Sequence, residues 1–214
     1  MAELQAQNRL EVRIEIPQPS AEMTRVLKNF MDQQVCEDFE PLDFLPPAGG
    51  PLQYFAAWLE PLEASELKTA PSSQRKRMEI SGCKASSAVT FLNPGDELEI
   101  RSKDPITYDL SFFESSGGRA TRLLPPNLMA ARLQWTEPNT VEARCELHPN
   151  LRFAVIVSPS PWRGFAGSDT KLSLENIPRG QYRLQLWHPV LGSKIYSRPI
   201  DIQERSSQIL VRWS

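Results

Sequence analysis

A chain of 214 residues with 40% hydrophobic and 23% charged side chains has the balance of an ordinary globular protein, with length for one or two domains. Its 24 basic and 26 acidic residues nearly cancel, which gives no reason to expect recruitment to nucleic acid or an anionic membrane through a global field. No run nears the roughly 18 uninterrupted apolar residues of a spanning helix, so membrane insertion is not expected. The opening Met1-Ala-Glu-Leu-Gln-Ala-Gln7 lacks the apolar stretch of a signal peptide; either the chain is cytoplasmic or a signal has been removed from it.

Strand patterning dominates from the start. Leu10, Val12, Ile14 and Ile16 alternate with charged residues and predict a first strand. A helix is expected next, because Met23, Val26, Leu27, Phe30 and Met31 recur at helical spacing after Pro19-Ser20, with Ser20 as its N-cap. Phe55, Ala57 and Leu59 resume the period of two. Residues 63–77 are polar and aperiodic and read as a connector; its basic run Arg75-Lys76-Arg77 reads as solvated surface rather than a phosphate contact.

Beyond the connector the alternation returns at Leu98-Ile100, Val141-Ala143-Cys145 and Phe153-Val155-Val157. It continues at Leu172-Leu174, Tyr182-Leu184-Leu186, Ile200-Ile202 and Ile209-Val211-Trp213. Turn residues punctuate the runs at Asn93-Pro-Gly95, Gly117-Gly118, Pro125-Pro126 and Pro178-Arg-Gly180. The 19 prolines suit turns and strand edges. The fold class is therefore all-β, built of antiparallel sandwiches with one short N-terminal helix.

The chemistry-bearing stretch is Cys145-Glu-Leu-His148-Pro-Asn-Leu151. Together with Ser81-Gly82-Cys83, Val89-Thr-Phe-Leu-Asn-Pro-Gly95 and Ser102-Lys-Asp104-Pro105, it resembles the cupredoxin-like domain of secreted bacterial proteins of the plastocyanin-like or methylamine-utilisation type. That resemblance implies ligand positions at Tyr108, Cys145, His148 and Leu151, where the family carries histidine, cysteine, histidine and commonly methionine. This chain departs at Tyr108 and Leu151. A blue copper ion takes one thiolate, two imidazoles and a weak axial thioether, and the chain has two histidines in all, His148 and His188. The positions read as a degenerate site, with no metal or other cofactor expected. Resemblance also implies a disulfide between Cys36 and Cys83 and an exported, periplasmic chain, leaving Cys145 as a core thiol.

Phe165 to Pro189, with Leu172-Ser-Leu174, Ile177-Pro-Arg-Gly180 and Tyr182 to Pro189, is similar to the prealbumin-like, carboxypeptidase-regulatory-like modules that accompany such domains. The expected organisation is an insertion: residues 78–158 as the cupredoxin-like domain, set into a sandwich made from residues 8–62 and 160–214.

Cys145 with His148 could form a nucleophile and base, but the local sequence suggests no third group to orient the imidazole. Trp135, Trp162, Trp187 and Trp213 read as core caps rather than a sugar-stacking surface. Nucleotide, hydrolase and zinc-protease motifs are absent from the sequence. The functional expectation is a non-catalytic accessory protein that docks onto a protein partner, with a copper-binding electron carrier of non-standard ligands as the alternative.

Overall fold

Alternation of buried and exposed side chains sets the architecture, since successive residues of a strand face opposite sides of the sheet. The computed structural model describes residues 8–16, 35–36, 49–63, 73–126, 130–148, 151–196, 198–203 and 206–213, and among them every regular element is a strand. In chain order the first six are β1 (Arg9–Ile16), β2 (Gly50–Pro51), β3 (Ala56–Pro61), β4 (Arg75–Ser81), β5 (Lys84–Ala85) and β6 (Val89–Leu92). Then come β7 (Glu97–Ser102), β8 (Tyr108–Glu114), β9 (Arg119–Leu124), β10 (Ala131–Gln134), β11 (Asn139–Cys145) and β12 (Arg152–Val157). The last six are β13 (Arg163–Phe165), β14 (Lys171–Glu175), β15 (Gly180–His188), β16 (Gly192–Ile195), β17 (Ile200–Ile202) and β18 (Ser206–Arg212). The helix expected over residues 20–31 lies outside the described residues.

The strands fall into two units: β1–β3 with β13–β18, and β4–β12. Cys36 belongs to the second, so residues 8–62 do not stay within one unit.

In the first unit β1 lies between β14, antiparallel, and β18, parallel, with Leu10 opposite Leu174 and Ser207. A second sheet runs β13-β3-β15-β16, with β17 also on β15. Leu10, Val12 and Ile14 of β1, Leu59 of β3 and Leu184 and Leu186 of β15 share one core. Trp162 and Trp213 close it, and Trp162 Nε1 donates to Asn176 O at 3.0 Å. Trp187 is buried, and Trp135, partly buried, packs against the second unit's core.

In the second unit one sheet runs β10-β7-β4-β5 and the other β6-β12-β11-β8-β9. β4 is parallel to β7 and β6 to β12, while the remaining neighbours are antiparallel. Met78, Ile80, Leu98 and Ile100 of the first sheet and Leu110, Phe112, Val141, Phe153 and Val155 of the second form its core.

Arg75, Lys76 and Arg77, expected in a connector, instead open β4. Ion pairing takes the place of apolar burial on the outer face there: Arg75, Arg77, Arg101 and Arg132 all reach Glu99 of β7, at 4.0, 3.5, 2.8 and 3.5 Å. Burial works against charge on Glu99, but the charges of Arg101, Arg77 and Arg132 outweigh it and hold its carboxyl below the usual value. Glu11 of β1 is treated alike in the other unit, with Arg13 at 2.9 Å and Arg9 and Lys171 at 3.9 Å.

Candidate metal centre

Three pieces of backbone meet at one end of the second unit. The first is the hairpin joining β4 to β5, where Ser81 pairs with Lys84 across a two-residue loop. Gly82 and Cys83 both have left-handed backbones, φ 56° and 60°, which is the geometry that matches the twist of a tight hairpin. A cysteine tolerates that conformation at a cost of about 1–2 kcal/mol, so something must hold it. Asp104, in the loop between β7 and β8, does so: its carboxylate accepts from Gly82 N at 2.7 Å and Cys83 N at 3.2 Å.

The second piece is the start of β8. Tyr108 is fully buried, and its phenol donates to Asp104 Oδ2 at 2.5 Å, with Cys83 Sγ 3.4 Å away. Burial first, then the hydrogen bond and charge of Asp104, push the phenol well above its ordinary value, so it keeps its proton. Cys145 ends β11 and forms the third piece with the loop that follows. Cys145 N donates to Leu151 O at 3.1 Å and Leu151 N to His148 O at 2.9 Å, closing the loop on itself.

These bonds bring Cys145 Sγ to 3.4 Å from His148 Nδ1. Tyr108 and His148 rings stand 5.0 Å apart at 59°. The disulfide joins Cys36 to Cys83, and both sulfurs lie within 4.8 Å of a ring nitrogen of His148 and of each other. Tyr108, Cys145 and His148 of the four ligand positions are thus gathered around one point. Leu151, also buried, contributes a hydrocarbon wall.

The donor set does not fit a blue copper ion. Cys145 and His148 offer one thiol and one imidazole. A protonated phenol already committed to Asp104 stands where a second nitrogen is needed, and the neighbouring sulfurs are spent in a disulfide rather than available as thiolates. His188 belongs to the other unit, where its Nδ1 accepts from Val190 N and Leu191 N at 3.2 and 3.3 Å and organises the turn after β15.

A nucleophilic role for Cys145 fares no better. Burial raises its thiol above the usual value, only partly offset by hydrogen bonds from the His148, Leu147 and Asp109 region, whereas an activated cysteine needs the opposite. Asp104 is the organising residue that its sequence context does not single out. Its signal is Asp four residues before Tyr in a loop, which is too common a pattern to single out.

Among solved structures, several amicyanins are similar over about half of the chain. A reduced amicyanin variant is 21% identical, covering 48% of this chain and 98% of that chain, with a TM-score of 0.35. A reduced Cu(I) form of another amicyanin variant is 22% identical over the same shares, at 0.35. Amicyanin from Paracoccus versutus (Thiobacillus versutus) is 15% identical, covering 46% of this chain and 92% of that chain, at 0.36. No protein-family model and no curated protein matches the chain.

Proposed function

We propose that this protein is a non-catalytic accessory β-sandwich protein that acts by docking onto a protein partner, its cupredoxin-like site being plugged rather than metallated. The observation that carries this reading is the convergence of a protonated Tyr108, the Cys36–Cys83 disulfide and Leu151 around the Cys145–His148 pair, which leaves copper two donors. A disulfide supports an oxidising compartment, and so an exported chain. The raised thiol of Cys145 supports a non-catalytic role.

For docking, β9 ends its sheet among the described residues and exposes Leu123 to 67% beside Arg119 and Arg122. An unpaired strand edge with an apolar side chain on it is the chemistry used in strand addition by a partner. The near-cancelling charge gives no reason to expect nucleic acid as that partner.

A copper-binding electron carrier with a non-standard ligand set is the second reading, supported by the 3.4 Å approach of Cys145 Sγ to His148 Nδ1. Loading the oxidised protein with copper separates them. The docking reading expects no stoichiometric copper and none of the intense blue absorption of a thiolate–copper bond; one copper per chain, lost in Cys145→Ala, overturns it.

A further inference from the structure

The plug is also a set of metal donors held in an oxidised state. Cys36 Sγ, Cys83 Sγ and a ring nitrogen of His148 lie within 4.8 Å of one another, and all three residues are buried. A tetrahedral zinc site with Zn–S of about 2.3 Å and Zn–N of about 2.0–2.1 Å sets its ligand atoms roughly 3.5–3.8 Å apart. Opening the S–S bond and drawing the imidazole in by at most about 1.3 Å therefore gives that spacing.

Two of the three donors are positioned without help from the disulfide. Cys83 sits in a hairpin whose register is fixed by Ile80 opposite Ala85 and Ser81 opposite Lys84, and its backbone N–H is held by Asp104. His148 is held by the loop bond from Leu151 N.

We propose that the Cys36–Cys83 disulfide masks a thiolate and imidazole metal site, and that its reduction lets Cys36, Cys83 and His148 bind one borderline-to-soft d10 cation such as Zn2+. Reduction by a dithiol passes two electrons and two protons to the sulfurs, breaks the S–S bond and leaves the donor as its own disulfide. Metal binding then replaces the two thiol protons, which are released to solvent. The proposal is independent of the docking reading, because it concerns the reduced chain and a different ligand set from Cys145 with Tyr108.

The test uses the full chain, reduced with a trialkylphosphine in the absence of oxygen. The phosphine takes its oxygen from water, ends as the phosphine oxide and leaves two thiols. Zn2+ alone is the probe, and zinc retained after removal of excess is measured with the protons released. One zinc per chain is expected after reduction and none before it, with about two protons released per zinc and a zinc-dependent rise in the melting temperature of the reduced chain. His148→Ala should weaken binding at least tenfold, and Cys36→Ser with Cys83→Ser should abolish it; far-UV circular dichroism checks that each variant is folded. His148→Gln is the second variant if His148→Ala is not. No zinc on the reduced chain, equal zinc on the oxidised chain, parental affinity in a folded His148 variant, or a reduced chain that unfolds and is not restored by zinc each overturns the proposal.

Discussion

Replacing Asp104 with alanine is the sharpest test of what holds the site together. Its carboxylate accepts three hydrogen bonds, from Gly82 N at 2.7 Å, Cys83 N at 3.2 Å and Tyr108 Oη at 2.5 Å. Cys83 and Tyr108 are both buried, so truncation leaves two buried donors without their acceptor. Each such donor costs about 1–3 kcal/mol, which places the loss at roughly 3 kcal/mol if water reaches one of them. That is a large part of a typical stability of about 5–15 kcal/mol. Tyr108→Phe is milder, at about 1–2 kcal/mol, because the carboxylate keeps its two backbone partners. In the double variant no phenol remains to be stranded, so its cost should fall short of the summed singles by at least about 1 kcal/mol. Urea unfolding of the oxidised protein at neutral pH measures all three. A loss below about 1 kcal/mol for Asp104→Ala, or strict additivity, would refute the view that Asp104 organises the hairpin and the phenol together.

Further outcomes follow from the same structure. The Tyr108 phenol is held above its ordinary value of 10.0 in the folded chain, first by burial and then by Asp104. The unfolded chain therefore releases a proton that the folded chain keeps, so this contribution is complete below about pH 10 and is lost above it. Unfolding midpoints should drop more steeply above that pH in the parent than in Tyr108→Phe, and equal slopes would count against the assignment. For Glu99 the sign is opposite: its carboxyl is held below the usual 4.5, so its contribution is present above that value and lost as pH falls through the folded value. Acid titration of stability should be shallower in Glu99→Gln, and unchanged steepness would contradict the four-arginine arrangement. The disulfide spans a sequence separation of 47, so Cys36→Ser with Cys83→Ser should cost about 4 kcal/mol by loop-closure entropy. Unfolded, unreduced protein should give one titratable thiol and reduced protein three, matching the three cysteines; three without reductant would exclude the bridge in solution. Finally, β1 takes its long partners from β14 and β18, and β3 from β13 and β15. A fragment ending at Ser158 should leave β3 unpaired and β1 with only the two-residue β2, and so aggregate; a monodisperse fragment would argue that those strands are held some other way.

How the two halves of the polypeptide were legible differs strand by strand. Leu10, Val12, Ile14 and Ile16 announce themselves because their alternation with charged residues is written locally, whereas Phe153, Val155 and Val157 lie in a continuous apolar run that is buried on both faces. β9 gives no such signal: Arg119, Thr121, Arg122 and Leu123 are partly or wholly exposed at an edge, so only pairing with β8 makes it a strand. Arg75 and Arg77 mislead for a related reason, since the carboxylate that neutralises them arrives from β7, and nothing near them in sequence contains it.

For the site, the sequence alone determined which donors exist. One imidazole near Cys145, a tyrosine and a leucine at the other two positions, and two histidines in all limit what any fold could assemble. What only the tertiary structure decided is what fills the space between them. Cys36 and Cys83 are 47 residues apart and come from separate segments, yet their sulfurs meet His148 within 4.8 Å. Asp104 couples the hairpin at Cys83 to the phenol of Tyr108. Such contacts depend on where sheets close in space, and donor type can be read from a residue whereas donor distance cannot, because distance is set by chain segments that fold together from far apart in sequence.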